Sequence, residues 1–417
     1  MRPVFFSFSF LAKILYQPFR KITFVKKLLA IFSIVTVVTS LSLYQFNFKE
    51  VNRDLKPKCR YEKNTKILND TAFEMKVLDV PFSYAYGIGL DDFNGDGLKD
   101  ISVADAVEET FSLLTQNTDG SFSKNVIANI PGWYERHKII HEDGKPVFWV
   151  VKNRSGQIVK ISKTSNEWKE EEIVSEEFPF DISLGDINGD NTLDFSVSTH
   201  AKGKLVRYLS DQKGSYKREV LADRLGYVKT VILEDMNEDQ KLDTVSASSY
   251  LKEVFYIDEN TRTKITIGKN LHNPMVGSAV DLDQDGDMDM AIAAGGNVIA
   301  DNSCETGLFW FENLDGGTRW EKHAIHQGNK TGFEVISEDL DGDGDLDLVT
   351  SYYEDPAMVI WYENNLPNEW LGHFLTASYS TEGASQILTA DMNNDGKQDI
   401  VTAWADKDSR IIIFYQK

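Results

Sequence analysis

The sequence has few of the residues that mark redox, transition-metal or nucleic-acid sites. Only two cysteines occur in 417 residues, Cys59 and Cys304; they suit an exported chain but do not establish a disulfide. The seven histidines show no metal-binding spacing. Clusters of Lys and Arg are confined to the first 30 residues, which argues against a nucleic-acid-binding surface.

Acidic residues, in contrast, are abundant. Asp and Glu number 65 against 44 Lys and Arg, and the formal net charge is −21. Because residues 1–50 hold seven Lys/Arg and one Glu, the rest of the chain carries about −27. Aspartates clustered to this degree must repel one another unless cations neutralise them.

Much of this acidity lies in six copies of one pattern, D-x-[ND]-x-D-[GNQ]-x-x-D, each followed by a short apolar run. The copies begin 94, 49, 46, 58 and 52 residues apart, a spacing typical of a repeat array. Side-chain oxygens at positions 1, 3, 5 and 9, with a backbone carbonyl from position 7, match the ligands of Ca²⁺. The predicted ligands, loop by loop, are Asp92, Asn94, Asp96 and Asp100; Asp186, Asn188, Asp190 and Asp194; Asp235, Asn237, Asp239 and Asp243; Asp281, Asp283, Asp285 and Asp289; Asp339, Asp341, Asp343 and Asp347; and Asp391, Asn393, Asp395 and Asp399.

The residue at position 6 distinguishes the six loops in how readily each can fold around an ion. Glycine there permits the left-handed backbone that folds the loop around an ion, and four loops have it. The Asp186 loop has Asn191, which tolerates this backbone, whereas the Asp235 loop has Gln240, which tolerates it poorly. We therefore predict about five or six bound Ca²⁺, one of the sites being doubtful.

The repeat unit is a set of short strands. Around Asp339, four β-prone runs are separated by turn residues, and the 94-residue gap holds a degenerate seventh unit whose turn at 138–146 has lost most of its carboxylates. Four antiparallel strands in about 50 residues are typical of a β-propeller blade. A β-solenoid and unlinked calcium modules are the alternatives.

The chain ends favour a closed ring. Phe73–Leu78 reads as a fourth strand without three predecessors, and Arg410–Tyr415 reads as a third strand without a successor. Pairing the two completes the last blade and removes exposed sheet edges. The predicted fold is thus all-β: a seven-bladed β-propeller over 73–417, with calcium-binding loops and a single N-terminal transmembrane helix before it.

These loops, the strand after each, and passages such as Leu308-Phe309-Trp310-Phe311-Glu312-Asn313 resemble the FG-GAP/VCBS class of repeats, to which integrin α-subunit propellers are related. The resemblance covers roughly 345 of the 417 residues and implies a calcium-binding propeller. It leaves the activity open, because the class includes adhesion receptors, sugar-binding modules and polysaccharide lyases. Ile101-Ser102-Val103-Ala104 stands where integrins have a Gly-Ala-Pro turn, so no integrin-like ligand is implied.

The N-terminus predicts a membrane anchor. Residues 28–46 are uncharged and long enough, with their flanks, to cross a bilayer. The basic segment 1–27 precedes them and places the N-terminus in the cytosol, and 47–72 reads as a linker. A cleaved signal peptide is the alternative. In either case the propeller lies outside the cytosol, extracellular or periplasmic.

Candidate ligand-binding residues precede the innermost strands, on the face opposite the calcium loops. Aromatic and polar groups there suit stacking and hydrogen bonding to a sugar or peptide, although they equally suit packing of the channel wall. Loop 294–307, a long insertion, is a second candidate partner surface. The first group comprises Tyr84, Tyr86, Trp133, Tyr134, Arg136, His137, Arg224, Tyr227 and His272.

Two classes of function fit this pattern. The favoured one is a membrane-anchored, calcium-stabilised binding or adhesion module for carbohydrate or protein, without catalytic residues or nucleic-acid partner. The alternative is a polysaccharide lyase, in which Arg136, Arg224, Lys229 and His272 supply the cation and base for elimination from a uronate. No sequence motif requires the second class.

Overall fold

The computed structural model describes residues 65–129, 131–165, 167–295, 305–328, 331–353, 357–378, 383–406 and 409–417, which fold into seven β-sheets. In chain order the strands are β1 (Lys66–Asn69), β2 (Phe73–Val77), β3 (Ala85–Asp91), β4 (Asp100–Asp105), β5 (Thr110–Gln116), β6 (Phe122–Asn129), β7 (Tyr134–Glu142), β8 (Lys145–Lys152), β9 (Gln157–Thr164), β10 (Glu167–Ser175), β11 (Pro179–Gly185), β12 (Asp194–Thr199), β13 (Leu205–Ser210), β14 (Tyr216–Ala222), β15 (Val231–Glu234), β16 (Asp243–Ser248), β17 (Glu253–Ile257), β18 (Lys264–Lys269), β19 (Pro274–Val280), β20 (Asp289–Ala294), β21 (Gly307–Asn313), β22 (Trp320–Gln327), β23 (Thr331–Glu338), β24 (Asp347–Tyr353), β25 (Ala357–Glu363), β26 (Leu371–Ser378), β27 (Ala384–Ala390), β28 (Asp399–Trp404) and β29 (Arg410–Gln416).

Each sheet is one blade of a seven-bladed β-propeller, as the sequence predicts. Blades 1 to 5 are four-stranded meanders, β3–β6, β7–β10, β11–β14, β15–β18 and β19–β22. Blade 6 contains β23–β26 with β1 added, and blade 7 contains β27–β29 with β2. The first strand of each blade is innermost and the fourth outermost, so the outer edges face away from the axis.

The second strands form the most buried layer of each blade. Every residue of β4, β12, β16, β20 and β28 is buried. Ser102 and Ala104 have no exposed surface, and neither do Ser196 and Ala291. Small side chains at these positions let neighbouring blades approach closely and still exclude water.

Blade 2 confirms the degenerate seventh unit. Its β7 and β8 are joined by a two-residue turn, Asp143 at φ 50° and Gly144 at φ 73°. Two consecutive left-handed residues define the type I′ turn that suits the twist of a β-hairpin. The short turn replaces the nine-residue loop, so this blade has no place for its carboxylates.

The ring closes as predicted. Strand β2 pairs antiparallel with β29, from Phe73 opposite Gln416 to Val77 opposite Ile412. The N-terminal strand therefore supplies the outermost strand of the blade made by the C-terminal residues. Beyond β2, Lys417 N–H donates to the Ala72 carbonyl at 2.7 Å, which extends this pairing.

One strand lies within the segment that sequence analysis assigns to the linker 47–72. Strand β1 pairs parallel with β26, from Lys66 opposite Leu371 to Asn69 opposite Phe374. It is only four residues long and has no clear apolar alternation, so no local pattern predicts it. Blade 6 therefore has five strands, and the N-terminal segment contacts two successive blades.

The membrane anchor lies outside the described residues. Within the described part of the chain, no helix has the length and apolarity needed to span a bilayer. The predicted segments 1–27 and 28–46, both cysteines and most of loop 294–307 also fall outside it. These assignments remain predictions.

Closure by β2 can be tested by truncation. We expect a chain lacking residues 1–60 to fold, because it keeps β1 and β2. A chain lacking 1–78 should melt at a lower temperature or aggregate, since β29 then has an unpaired edge in blade 7. Thermal unfolding followed by circular dichroism distinguishes the two, and equal melting temperatures would contradict a closing role for β2.

Candidate functional site

The six acidic loops share one backbone conformation. Positions 4 and 6 are left-handed in every copy, with φ between 59° and 105°. Position 6 N–H donates to the position 1 carboxylate in five loops, for example Gly97 to Asp92 at 2.8 Å. The requirement at position 6 follows from the sequence. The one at position 4, where Gly alternates with Glu238, Gln284 and Asn394, was not predicted.

The Asp235 loop has the same shape as the others. Gln240 adopts φ 67° and donates its N–H to Asp235 at 2.7 Å, although a side chain disfavours this region. The unfavourable left-handed conformation of Gln240 therefore does not prevent the Asp235 loop from folding.

Two loops bring three carboxylates together. In Asp281, Asp283 and Asp285, and again in Asp339, Asp341 and Asp343, one oxygen from each residue lies within 4.8 Å of the others. The four other loops have Asn at position 3. In three of them its Nδ2 donates to position 5, as from Asn94 to Asp96 at 2.9 Å, whereas Asn237 of the Asp235 loop donates to Asp258 at 2.8 Å. All these oxygen donors suit a hard cation.

The fit to a cation is supported by carboxylate oxygens that lack hydrogen bonds. Among the described residues, Oδ1 atoms of Asp281, Asp287 and Asp345 are buried and have no hydrogen-bond donor. Burial, followed by repulsion from neighbouring carboxylates, raises the pKa of Asp287 and of Asp345 to about 6. A divalent cation would supply both the missing partner and the missing positive charge.

Position 9 has a second role that sequence analysis missed. In all six loops its carboxylate is buried and accepts two backbone N–H groups at 2.7–3.2 Å, one from position 2 and one from the residue that ends or follows the third strand. We call this contact the aspartate clamp. Its donors are Phe93 and Gln116 for Asp100, Ile187 and Ser210 for Asp194, Met236 and Glu259 for Asp243, Leu282 and Asn313 for Asp289, Leu340 and Asn364 for Asp347, and Met392 and Gln416 for Asp399.

The clamp is compatible with metal binding. An ionised carboxylate has about four lone-pair sites, and the two N–H groups use two of them. Burial raises the pKa of Asp289 to about 7 and that of Asp347 to about 8 despite these hydrogen bonds. A nearby cation would favour the charged form that the clamp needs.

The clamp and the metal ligands should respond differently to substitution. Asp347→Ala leaves two buried N–H groups without acceptors and should cost about 2–5 kcal/mol of unfolding free energy at any calcium concentration. Asp343→Asn removes only an exposed candidate ligand, so its cost should appear at high calcium and fade at low calcium. Urea unfolding at low and high calcium measures both. Disappearance of the Asp347→Ala cost at low calcium, as expected for a metal ligand alone, would contradict a separate clamp.

The opposite face is built from bulged innermost strands. The innermost strand of six blades has a register shift near its start, and the residues skipped there include Tyr86, Phe180, Met275 and Phe333. These four pack in one cluster with Tyr353. Because the residues of this cluster come from blades 1, 3, 5 and 6, the cluster must fill the central channel at the end opposite the acidic loops.

Three of the predicted ligand residues meet at this cluster. Tyr84 stacks on Tyr86 with ring centroids 5.9 Å apart, and Trp133 lies 5.3 Å from Tyr84. Tyr84 and Trp133 are partly exposed, whereas Tyr86 is buried. Arg154 lies over the Trp133 ring at 4.3 Å. Of the predicted ligand residues, Tyr84, Tyr86 and Trp133 therefore lie together, and Tyr84 and Trp133 are accessible.

Charged groups next to the aromatic cluster contact residues of other blades. Arg136 of blade 2 contacts Glu334 of blade 6 at 2.5 Å and donates to the Ser385 carbonyl of blade 7 at 3.1 Å. Lys229 lies over Phe180 and Phe333, and burial lowers its pKa to about 8. These contacts join blades across the channel.

The remaining predicted residues are dispersed. Tyr134 and His137 are 0% and 3% exposed and pack between blades 1 and 2, with His137 2.7 Å from the Ser102 hydroxyl. Tyr227 is exposed and packs against His200 in a tilted arrangement, with ring centroids 4.6 Å apart. His272 is buried, and Arg224 is an exposed residue at φ 58°. Among these dispersed residues, Tyr227 and Arg224 alone are exposed.

Adjacent residues Trp133 and Tyr134 make a matched test. Tyr134→Ala should destabilise the ring by about 3–5 kcal/mol, because it removes a buried aromatic side chain. Trp133→Ala removes a partly exposed ring and should cost about 1 kcal/mol. Urea denaturation of both variants checks the assignment, and equal losses would overturn it.

Comparisons with known proteins agree with this fold. Residues 281–350 and 339–402 match the family model of the FG-GAP-like repeat. The resemblance predicted from the sequence is thus confirmed: FG-GAP-like repeats occur here in a seven-bladed β-propeller. No significant sequence match was found among curated proteins.

Two solved structures resemble this chain at low sequence identity. BBS1N, crystallised in complex with ARL6DN, is 10% identical with a TM-score of 0.51, covering 85% of this chain and 98% of that one. A putative gluconolactonase is 12% identical with a TM-score of 0.41, covering 84% and 94%. At this identity the first similarity supports the fold alone.

Proposed function

We propose that this protein is a calcium-stabilised β-propeller, anchored in a membrane by residues 28–46, that acts as an extracytoplasmic binding module for a protein or carbohydrate. The observation that carries the proposal is the set of six loops with one backbone conformation and convergent oxygen donors. Repetition around a ring is expected when the loops serve the fold.

Calcium would be held by the side chains at positions 1, 3, 5 and 9 of each loop. Its contribution is charge neutralisation, since six divalent ions would cancel about 12 of the roughly −27 charges outside residues 1–50. Extracytoplasmic placement suits this chemistry, because sites with dissociation constants of about 10⁻⁴–10⁻³ M fill only at the calcium levels found there.

The binding face would be the one that carries Tyr84 and Trp133. The loop face is committed to metal, whereas these two rings are partly exposed and have a cation, Arg154, beside them. Exposed aromatic rings on a rigid scaffold suit stacking against sugars or peptide side chains.

The lyase alternative has less support. It needs Arg136 to contact a uronate carboxylate, but Arg136 is buried and already contacts Glu334 at 2.5 Å. Recruiting it would break a buried ion pair, which is costly. The geometry therefore favours a binding role.

Calcium removal tests the proposal. At tenfold excess over its dissociation constant each site contributes about 1.4 kcal/mol, so five sites contribute roughly 7 kcal/mol. That is comparable to the whole stability of a typical domain, about 5–15 kcal/mol. We expect chelator to lower the melting temperature sharply and calcium, but not an equal amount of sodium chloride, to restore it. A shift of only a degree or two would contradict a stabilising role.

A further inference from the structure

Acidic loops of neighbouring blades contact each other through the side chain at position 4. Gln284, at position 4 of the blade 5 loop, donates its Nε2 to the Gly344 carbonyl of the blade 6 loop at 2.8 Å. Asn394, at position 4 of the blade 7 loop, donates its Nδ2 to the Gly97 carbonyl of the blade 1 loop at 2.9 Å. Both acceptors stand at position 6 of the next loop around the ring. We call this hydrogen bond the loop bridge.

The fold of a single loop does not require a side chain at position 4. Three of the six loops have Gly95, Gly189 or Gly342 there, and glycine adopts the left-handed backbone without strain. Gln284 adopts the same conformation at φ 61°, which a long side chain disfavours. The loop bridge gives a reason for the unfavourable residue, because glycine cannot make this contact.

The acceptor of the loop bridge is a peptide group that lies between candidate metal ligands. In blade 6 this peptide joins Gly344 to Asp345; its carbonyl accepts the bridge, and its N–H donates to the Asp343 carboxylate at 3.1 Å. In blade 1 the equivalent N–H, from Leu98, donates to Asp96 at 2.9 Å. Position 5 offers its carboxylate and position 7 its backbone carbonyl to an ion. The bridge therefore orients both ligands of the loop that accepts it.

The donor of the loop bridge also lies between candidate ligands. Gln284 stands between Asp283 and Asp285, two of the three carboxylates that converge in blade 5. Asn394 stands between positions 3 and 5 of its own loop in the same way. When an ion holds these two neighbours, the backbone from which the donor side chain extends is held as well.

From these contacts we infer that the calcium loops act in two coupled pairs, blade 5 with blade 6 and blade 7 with blade 1. Gln284 and Asn394 are the positioning residues: calcium binding in one loop of a pair orders the bridge and raises the calcium affinity of the other loop. Linkage makes the effect reciprocal within each pair. The inference rests on the proposed calcium binding and adds a cooperativity that the ligand pattern does not contain.

The boundary between blades 4 and 5 shows what the amide contributes. Position 4 of the blade 4 loop is Glu238, at φ 60°, and an ionised carboxylate cannot donate to a carbonyl. Burial, and then repulsion from the carboxylates of its own loop and from Glu238, raises the pKa of Asp287 in blade 5 to about 6. This boundary therefore has a repulsive contact where two others have a hydrogen bond, and the blade 4 loop belongs to neither pair.

Hydrogen–deuterium exchange of the full chain in detergent, followed by mass spectrometry at a series of calcium concentrations, measures each loop separately. The calcium concentration that half-protects residues 339–347 reports the affinity of the blade 6 loop. Gln284→Gly removes the amide and keeps a residue that three other loops use at this position. We expect it to raise that midpoint about two- to tenfold, the effect of losing one hydrogen bond.

Three further variants sharpen the test. Gln284→Asn should return the midpoint of residues 339–347 toward that of the unaltered chain, because Asn394 makes the same bridge with the shorter amide. Asn394→Gly should raise the midpoint of residues 92–100 and leave 339–347 unchanged. Glu238→Gln should create a third pair and lower the midpoint of residues 281–289.

The outcomes separate the coupling from calcium binding itself. Unchanged protection of residues 339–347 in Gln284→Gly would overturn the coupling while leaving calcium binding intact. An equal rise for residues 235–243, on the other side of the altered loop, would also overturn it, since that result indicates general weakening of the ring. Absence of calcium-dependent protection from every loop of the unaltered chain would contradict the proposed function and this inference together.

Discussion

A buried aspartate that accepts two backbone N–H groups holds six of the seven blades together. It joins the turn between the first and second strands to the end of the third strand, two points that lie far apart in sequence. Removing the carboxylate would leave both buried N–H groups without an acceptor, because no water takes its place in the interior. Blade 2, whose two-residue turn needs no such contact, is the exception.

This clamp concentrates negative charge on one face of the ring. The carboxylate at position 9 must be buried and charged, and the exposed carboxylates at positions 1, 3 and 5 lie close by. Burial and mutual repulsion oppose that state, as the raised pKa values of Asp289 and Asp347 show. A bound divalent cation would resolve the conflict, which is why we propose calcium as part of the fold and place ligand binding elsewhere.

The sequence was most informative where the determinants are local. Loop positions, the degenerate blade and the complementary chain ends all follow from patterns within about ten residues, and each was predicted. Strand β1 was not, because its partner β26 lies 300 residues away and parallel pairing leaves no turn signal. The left-handed position 4 was missed because Glu238 and Gln284 occupy it against their preference.

The candidate binding residues show the same limit. Trp133 and Tyr134 are neighbours in sequence, yet one is partly exposed and the other fully buried. Trp133 lies just before β7 in the left-handed conformation, at φ 54°, so the alternation of the strand does not extend to it. Likewise, Asp70 accepts the indole N–H of Trp361, which lies 291 residues later in the chain, so no local pattern predicts this contact.

The calcium content of the folded protein tests the central claim most directly. Equilibrium dialysis of the purified full chain against radioactive calcium at millimolar concentration counts the occupied loops without assuming an effect on stability. The account predicts about five or six ions per chain. Fewer than three would show that the shared loop conformation is maintained by hydrogen bonds alone and would contradict it.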